Sequence, residues 1–161
     1  MGRAHGRVLM LLCCLTVASV AQGPDFSGSY TLTPPKHASK STKATTYTLT
    51  AVQTANAIVV TRGADGKSTT NTFPLDGGEG IYHTENQTPG TCKGHFKGNE
   101  LFLESTIVTR PLKDQPVVII RTKEQWKLSP DLKTLKIHNE VENPRLPISI
   151  VDPCTDVYTR D

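Results

Sequence analysis

Residues 124–137 contain two runs of alternating apolar and polar positions on either side of a short Ser-Pro-Asp cluster. Trp126 and Leu128 alternate before the cluster, and Leu135 and Ile137 alternate after it. A spacing of two on both sides of turn-forming residues is typical of a β-hairpin with one buried face. The pattern therefore predicts that these four side chains pack together in a hydrophobic core.

The same alternation recurs along most of the chain, and no apolar stripe with a helical period of 3.6 residues interrupts it. Pro74 lies inside one run, which predicts an edge or bulged position for that strand. Successive antiparallel strands must close into a barrel or form two packed sheets to remove their edges. We predict an all-β, antiparallel up-and-down meander of about nine strands that closes into a barrel of about 8–10 strands, with a β-sandwich as the alternative. The predicted runs are 26–33, 46–54, 57–62, 71–75, 78–85, 91–97, 100–109, 117–128, 134–141 and 148–151.

Residues 1–21 have the layout of a secretory signal peptide, with two arginines followed by an uncharged apolar run at 8–20. Small residues at Ser19 and Ala21 predict cleavage after Ala21, leaving 22–161 as a single domain. The apolar run is shorter than the roughly 20 residues that span a membrane, so we expect a secreted or periplasmic protein without a membrane span. The signal removes two of the 18 basic residues and none of the 15 acidic ones, so the mature charge is about +1. That balance does not favour binding to nucleic acid.

Two of the four cysteines, Cys92 and Cys154, lie beyond the signal peptide. An even pair in an exported chain most often forms a disulfide, because the compartment is oxidising. We predict a Cys92–Cys154 bridge. A free thiol or a metal ligand is the alternative.

The chain carries no motif that indicates catalysis, a cofactor or a resident metal. His83, Glu85, Cys92, His95 and His138 have metal-ligand chemistry, but their spacing is generic and fits solvated strand faces. There is no nucleophile elbow around a serine and no glycine-rich phosphate loop. Residues 86–88 form a glycosylation sequon beginning at Asn86.

Glu124 shares the apolar face of its strand with Trp126. If that face lines a barrel interior, the carboxylate needs a partner and can orient a ligand. If the strand twists outward at that point, Glu124 is solvated at the rim, and we expect the rim position.

Short motifs carry a resemblance to lipocalin-type barrels. The segment DFSGSY (25–30) resembles the opening of such barrels, with Tyr30 where a tryptophan is usual, and the pairing of a C-terminal cysteine with a mid-barrel strand is also a lipocalin feature. The chain is more similar to a group of small uncharacterised exported bacterial proteins. They share a D-F-x-G-x-W/Y element and a W-x-L-S-x-D-x-K-T-L element, which here runs from Trp126 to Leu135. The resemblance implies a lipocalin-like (calycin-type) barrel over most of residues 25–142.

The resulting hypothesis is an exported, non-enzymatic barrel that binds a small apolar or amphipathic ligand, with Tyr30, Phe96, Glu124 and Trp126 as candidate contacts. The alternative is a structural or protein-interaction module of the cell envelope whose barrel is filled by its own side chains. A hydrolase is the third and least favoured hypothesis. The sequence does not indicate an oligomeric state.

Overall fold

The computed structural model describes residues 23–33, 45–109, 117–142 and 150–161, and these residues form ten strands and no helix. The predicted signal peptide and the cleavage site after Ala21 lie outside the described residues. No described segment forms a helix with the length and apolar character that a membrane crossing requires. The strands are β1 (Gly28–Leu32), β2 (Tyr47–Gln53), β3 (Ala57–Ala64), β4 (Lys67–Pro74), β5 (Gly80–His83), β6 (Pro89–Lys97), β7 (Glu100–Thr109), β8 (Val118–Leu128), β9 (Thr134–Glu142) and β10 (Ile150–Arg160).

The strands form one antiparallel sheet that curls into a nearly closed barrel. Its hydrogen-bonded order is β4-β3-β2-β1-β10-β9-β8-β7-β6-β5, so every hydrogen-bonded pair joins consecutive strands except β1 and β10, while β4 and β5 lie at the two ends of the order. There, Tyr30 pairs with Arg160 and Leu32 pairs with Tyr158. The predicted up-and-down barrel is confirmed, and the β-sandwich alternative is wrong.

The last strand is longer than its sequence predicts. The predicted strand ended at residue 151, whereas β10 continues to Arg160. Residues 152–160 carry few apolar side chains at a spacing of two, so their local pattern is weak. They are held in strand form because β9 pairs on one side and β1 pairs on the other. This strand joins the two halves of the barrel.

The barrel has one seam, between β4 and β5, where the amide of a side chain replaces the backbone ladder. Asn71 Nδ2 donates to the carbonyl of His83 at 3.0 Å, and the His83 N–H donates to Asn71 Oδ1 at 2.7 Å. The seam is narrow at Gly80, because a Cβ there would lie 2.6 Å from the carbonyl oxygen of Thr72. Pro74 ends β4, the terminal strand of the hydrogen-bonded order, which confirms its predicted edge position.

One end of the barrel is filled by the core. We call it the closed end; it contains the β2–β3, β4–β5, β6–β7 and β8–β9 connections and the segment 23–27. Phe26 is fully buried there, with its ring centroid 6.1 Å from that of Trp126 and 6.2 Å from that of Phe96. The Tyr30 hydroxyl donates to the carbonyl of Phe26 at 2.9 Å. Tyr30 therefore closes the base of the barrel at the position where tryptophan is usual in the resembled family.

The hairpin predicted at residues 124–137 is confirmed. Trp126 pairs with Ile137 and Leu128 pairs with Leu135 across β8 and β9. In the turn, the N–H of Ser129 donates to the carbonyl of Thr134 at 2.8 Å. Trp126, Leu135 and Ile137 are buried, so the apolar face predicted from the alternation is the core face.

The predicted disulfide is not formed. Both thiols are free: Cys92 is buried on β6, and Cys154 is exposed on β10. Along the sheet β7, β8 and β9 separate these strands, and adjacent strands lie about 4.8 Å apart. Bridged cysteines need Cα atoms within about 7 Å, and the Cys92–Cys154 bridge is absent from this structure.

The two thiols are expected to differ sharply in reactivity. The Cys92 thiol donates to the carbonyl of Thr72 at 3.2 Å, and burial together with the charge of Glu79 raises its pKa to about 11. Because the thiolate is the nucleophile, iodoacetamide at pH 8 without reductant should add one group to the native protein, at Cys154. Intact mass and peptide mapping check this, and Cys154→Ser should abolish the adduct. Two unreactive thiols that become available only after reduction would contradict the free-thiol structure.

Candidate functional site

The interior of the barrel changes from fully buried to partly exposed along its length. At the closed end, Leu101 and Trp126 have no exposed surface. Toward the other end, called here the open end, polar and apolar side chains share the inner face, and four of the apolar ones are only partly buried. They are Leu32, Ile107, Ile120 and Val141. Val118, at the open end of β8, is buried again. Apolar side chains that face inward yet keep accessible surface form a lumen wall available to a ligand.

An ion pair crosses the lumen above the buried floor. Arg62 on β3 donates through its Nη2 atom to Glu124 Oε2 on β8 at 2.6 Å. The two strands are not neighbours in the sheet, so the contact spans the interior and does not run along a ladder. The exposed fraction is 32% for the Arg62 side chain and 13% for that of Glu124. The pair is thus the polar surface that a molecule entering the lumen would meet.

Trp126 joins this ion pair to the core. Its Nε1–H donates to Glu124 Oε2 at 2.8 Å, and the Arg62 guanidinium lies 6.0 Å from its ring centroid, within reach of a cation–π contact. The expectation that Glu124 sits solvated at the rim is therefore wrong. The carboxylate faces inward because Arg62 and the indole supply the partners that a buried charge requires.

Two inward-facing tyrosines, Tyr82 on β5 and Tyr158 on β10, are largely shielded from solvent. Burial raises the pKa of the Tyr82 phenol, an effect that the positive charge of Arg62 opposes and that of Glu124 reinforces. Burial likewise raises the pKa of Tyr158 to about 12, with Asp156 adding to the shift and Arg62 opposing it. Both phenols therefore stay neutral at physiological pH and remain hydrogen-bond donors.

A second carboxylate faces the lumen from β10. Asp156 is paired in register with the buried Ile137, so both project from the same face of the sheet. Asn139 Nδ2 donates to Asp156 Oδ2 at 3.0 Å. The inner face of the barrel thus carries a second carboxylate in addition to the Arg62–Glu124 pair.

The sequence-predicted contact residues separate into two layers. Tyr30 and Trp126 are fully buried, and Phe96 packs against Phe26, so all three belong to the closed end. Glu124 lies above them at the floor of the lumen. Arg62 was not among the predicted site residues, although the alternation Ile58, Val60, Arg62 marks it as inward-facing.

The larger cavities outside the lumen are open clefts, one of about 640 Å³ at the closed end beside Lys97 and Leu132, and one of about 560 Å³ at the β3–β4 turn. A cavity of about 110 Å³ lies across β7, β8 and β9, lined mainly by the outward-facing Phe102, Lys123 and His138. It is too small for a drug-sized ligand, since pockets for such ligands measure about 300–1,000 Å³. No three His, Cys, Asp or Glu side chains within the described ranges are grouped to hold a metal ion.

The sequence matches no family model and no curated protein. Solved structures do share the fold. A protein titled REP1-NXSQ fatty acid transporter is similar at 16% identity and a TM-score of 0.52, over 84% of this chain and 95% of its own. The N57A mutant of the fluorescent protein UnaG is similar at 16% identity and a TM-score of 0.55, over 84% of this chain and 96% of its own. The chain has a lipocalin-like barrel fold. At these identities the likeness establishes the architecture, and function has to be argued from the lumen itself.

Proposed function

We propose that this protein is an exported, non-enzymatic carrier that binds a small apolar or amphipathic molecule in the open half of its barrel. The observation that supports this most is the partly exposed apolar wall inside the lumen, above the Arg62–Glu124 ion pair. An apolar wall with a few convergent polar groups is the usual composition of a small-molecule site. One of the structural neighbours is titled a fatty acid transporter, which agrees with this proposal.

The rival function, a structural module with a side-chain-filled barrel, accounts for the closed end but not for the partly exposed wall. Leu32 and Val141 face the lumen from β1 and β9 and keep accessible surface. A barrel built only for packing would bury such positions, because each buried methylene contributes about 0.8 kcal/mol. We therefore favour the carrier function.

Binding in the lumen predicts a difference between two neighbouring positions on β7. Ile107 faces inward and is partly buried, whereas Val108 faces outward and is 55% exposed. Ile107→Gln should weaken binding of oleamide about tenfold, because it places a polar amide against the acyl chain. Val108→Gln is the matched control and should leave the affinity unchanged. Titration of the fluorescence of Trp126, the one tryptophan in the chain, measures both.

Native mass spectrometry of the protein purified from its own host provides the second test. A bound small molecule of constant mass that dissociates on unfolding would support the carrier. A repeatedly empty barrel, with no fluorescence response to oleamide, oleyl alcohol or oleate, would overturn it.

A further inference from the structure

We infer that the lumen selects ligands with an uncharged, hydrogen-bonding head group and discriminates against carboxylates. This inference rests on the proposed carrier function and concerns the same site. It follows from the pairing of Arg62 with Glu124 and from the second carboxylate, Asp156, on the inner face of the sheet.

The lumen arginine is already neutralised by the protein. Glu124 Oε2 accepts from Arg62 at 2.6 Å and from the Trp126 indole at 2.8 Å, so this carboxylate occupies the position that an anionic head group would take. A ligand carboxylate would have to displace Glu124 from both donors or lie beside it. Displacement leaves Glu124 without its partners, and proximity places two like charges in a poorly solvated space.

A second inward-facing carboxylate also disfavours the binding of an anionic head group. Asp156 adds a second carboxylate to the inner face of the sheet, and the Asn139 amide donates to it at 3.0 Å. A carboxylate at this position offers no hydrogen-bond donor to an anionic head group. An entering anion therefore loses its hydration without a compensating attraction.

A cationic head group is not favoured either. The Arg62 side chain is 32% exposed, whereas that of Glu124 is 13% exposed, so the guanidinium is the more accessible member of the pair. An ammonium approaching Glu124 would have to pass this fixed positive charge. The Arg62–Glu124 pair therefore disfavours ligand head groups that carry a full positive or a full negative charge.

An uncharged head group finds both a hydrogen-bond acceptor and a hydrogen-bond donor at the ion pair. Both hydrogen bonds to Glu124 reach Oε2, and no described residue donates to Oε1. A primary amide or a hydroxyl can donate to Oε1 and can accept an N–H of Arg62. The ion pair then serves as a fixed donor–acceptor pair and stays intact.

Four probes with the same C18 chain test the inference. Oleamide and oleyl alcohol have uncharged head groups, oleate is the anion and oleylamine is the cation. Titrations at pH 7.4 by Trp126 fluorescence, repeated by calorimetry, give the affinities. We expect oleamide and oleyl alcohol to bind at least tenfold more tightly than oleate or oleylamine. Oleate or oleylamine binding as tightly as oleamide would overturn the inference and leave the carrier function standing. No binding of any of the four would overturn the carrier function itself.

Glu124→Gln separates the ion pair from general effects of the barrel. The amide keeps the size of the side chain and can still accept from Trp126, but it leaves the Arg62 charge uncompensated. We expect the preference for oleamide over oleate to fall at least tenfold in this variant. Glu104→Gln is the control, because it removes the same charge from the outer wall. There the Glu104 carboxylate lies 3.4 Å from the Lys93 ammonium nitrogen. An unchanged preference in Glu124→Gln would contradict the inference. If this variant does not fold, the affinities of the natural protein for the four probes test the inference instead.

Discussion

Replacing Trp126 with alanine is expected to lower the free energy of unfolding by about 3–5 kcal/mol, the range for truncating a buried Phe or Trp. The side chain is fully buried, lies in edge-to-face contact with Phe26 and packs beside Ile137. Its loss would leave a cavity at the centre of the closed end. It would also remove the indole N–H from Glu124. Denaturant unfolding followed by circular dichroism measures the change, since the variant has no tryptophan.

Two further variants separate the contributions to this loss. Trp126→Phe keeps a ring in the core but removes the donor to Glu124, and hydrogen bonds to charged groups contribute about 1.5–3 kcal/mol. We therefore expect a smaller loss than for alanine. Lys127→Ala, on the outward face of the same strand, removes an exposed ion pair with Glu100 and should leave the unfolding midpoint nearly unchanged. An unchanged unfolding midpoint in Trp126→Ala would show that the indole is not part of the core.

Replacing Asn71 with alanine is expected to destabilise the barrel by about 2–3 kcal/mol, because two hydrogen bonds are lost and their partners are left unsatisfied. Asn71 is 4% exposed, and its amide holds both backbone groups of His83 across the seam between β4 and β5. No alanine atom can replace either contact. The seam should open locally in this variant before the rest of the barrel unfolds.

Amide hydrogen exchange at His83 distinguishes local opening from general destabilisation. In Asn71→Ala, the His83 amide should exchange faster by a larger factor than amides in the β8–β9 hairpin. Thr72→Ala, at the next and exposed position of β4, keeps the seam contacts and should show neither effect. Equal acceleration of exchange throughout the barrel would contradict a specific role of Asn71 in the seam.

Local patterns were sufficient to predict most of the strands and the faces they bury. The alternation around Trp126 placed Leu128, Leu135 and Ile137 correctly, because the side-chain period of a strand is a property of its own backbone. The predicted runs 91–97 and 100–109 leave only two residues between them, and the structure has a tight turn there in which Gly98 has a φ of 60°. The end of β10 was missed because neighbouring strands, and not its own apolar spacing, hold it in place.

Contacts between distant strands decided the chemistry of the interior. The expectation of a solvated Glu124 failed because its partner, Arg62, lies 62 positions away on a strand across the lumen. The structure has Cys92 and Cys154 as free thiols on β6 and β10, and parity and export carry no information about which strands lie side by side. The sequence by itself determined the all-β class, the alternation of apolar and polar positions in the strands, and the buried face of the β8–β9 hairpin. These depend on local periodicity and turn chemistry. Only the tertiary structure decided the ion pair over Trp126, the Asn71 seam and the free thiols, because each depends on how the barrel brings together residues that are remote in the chain.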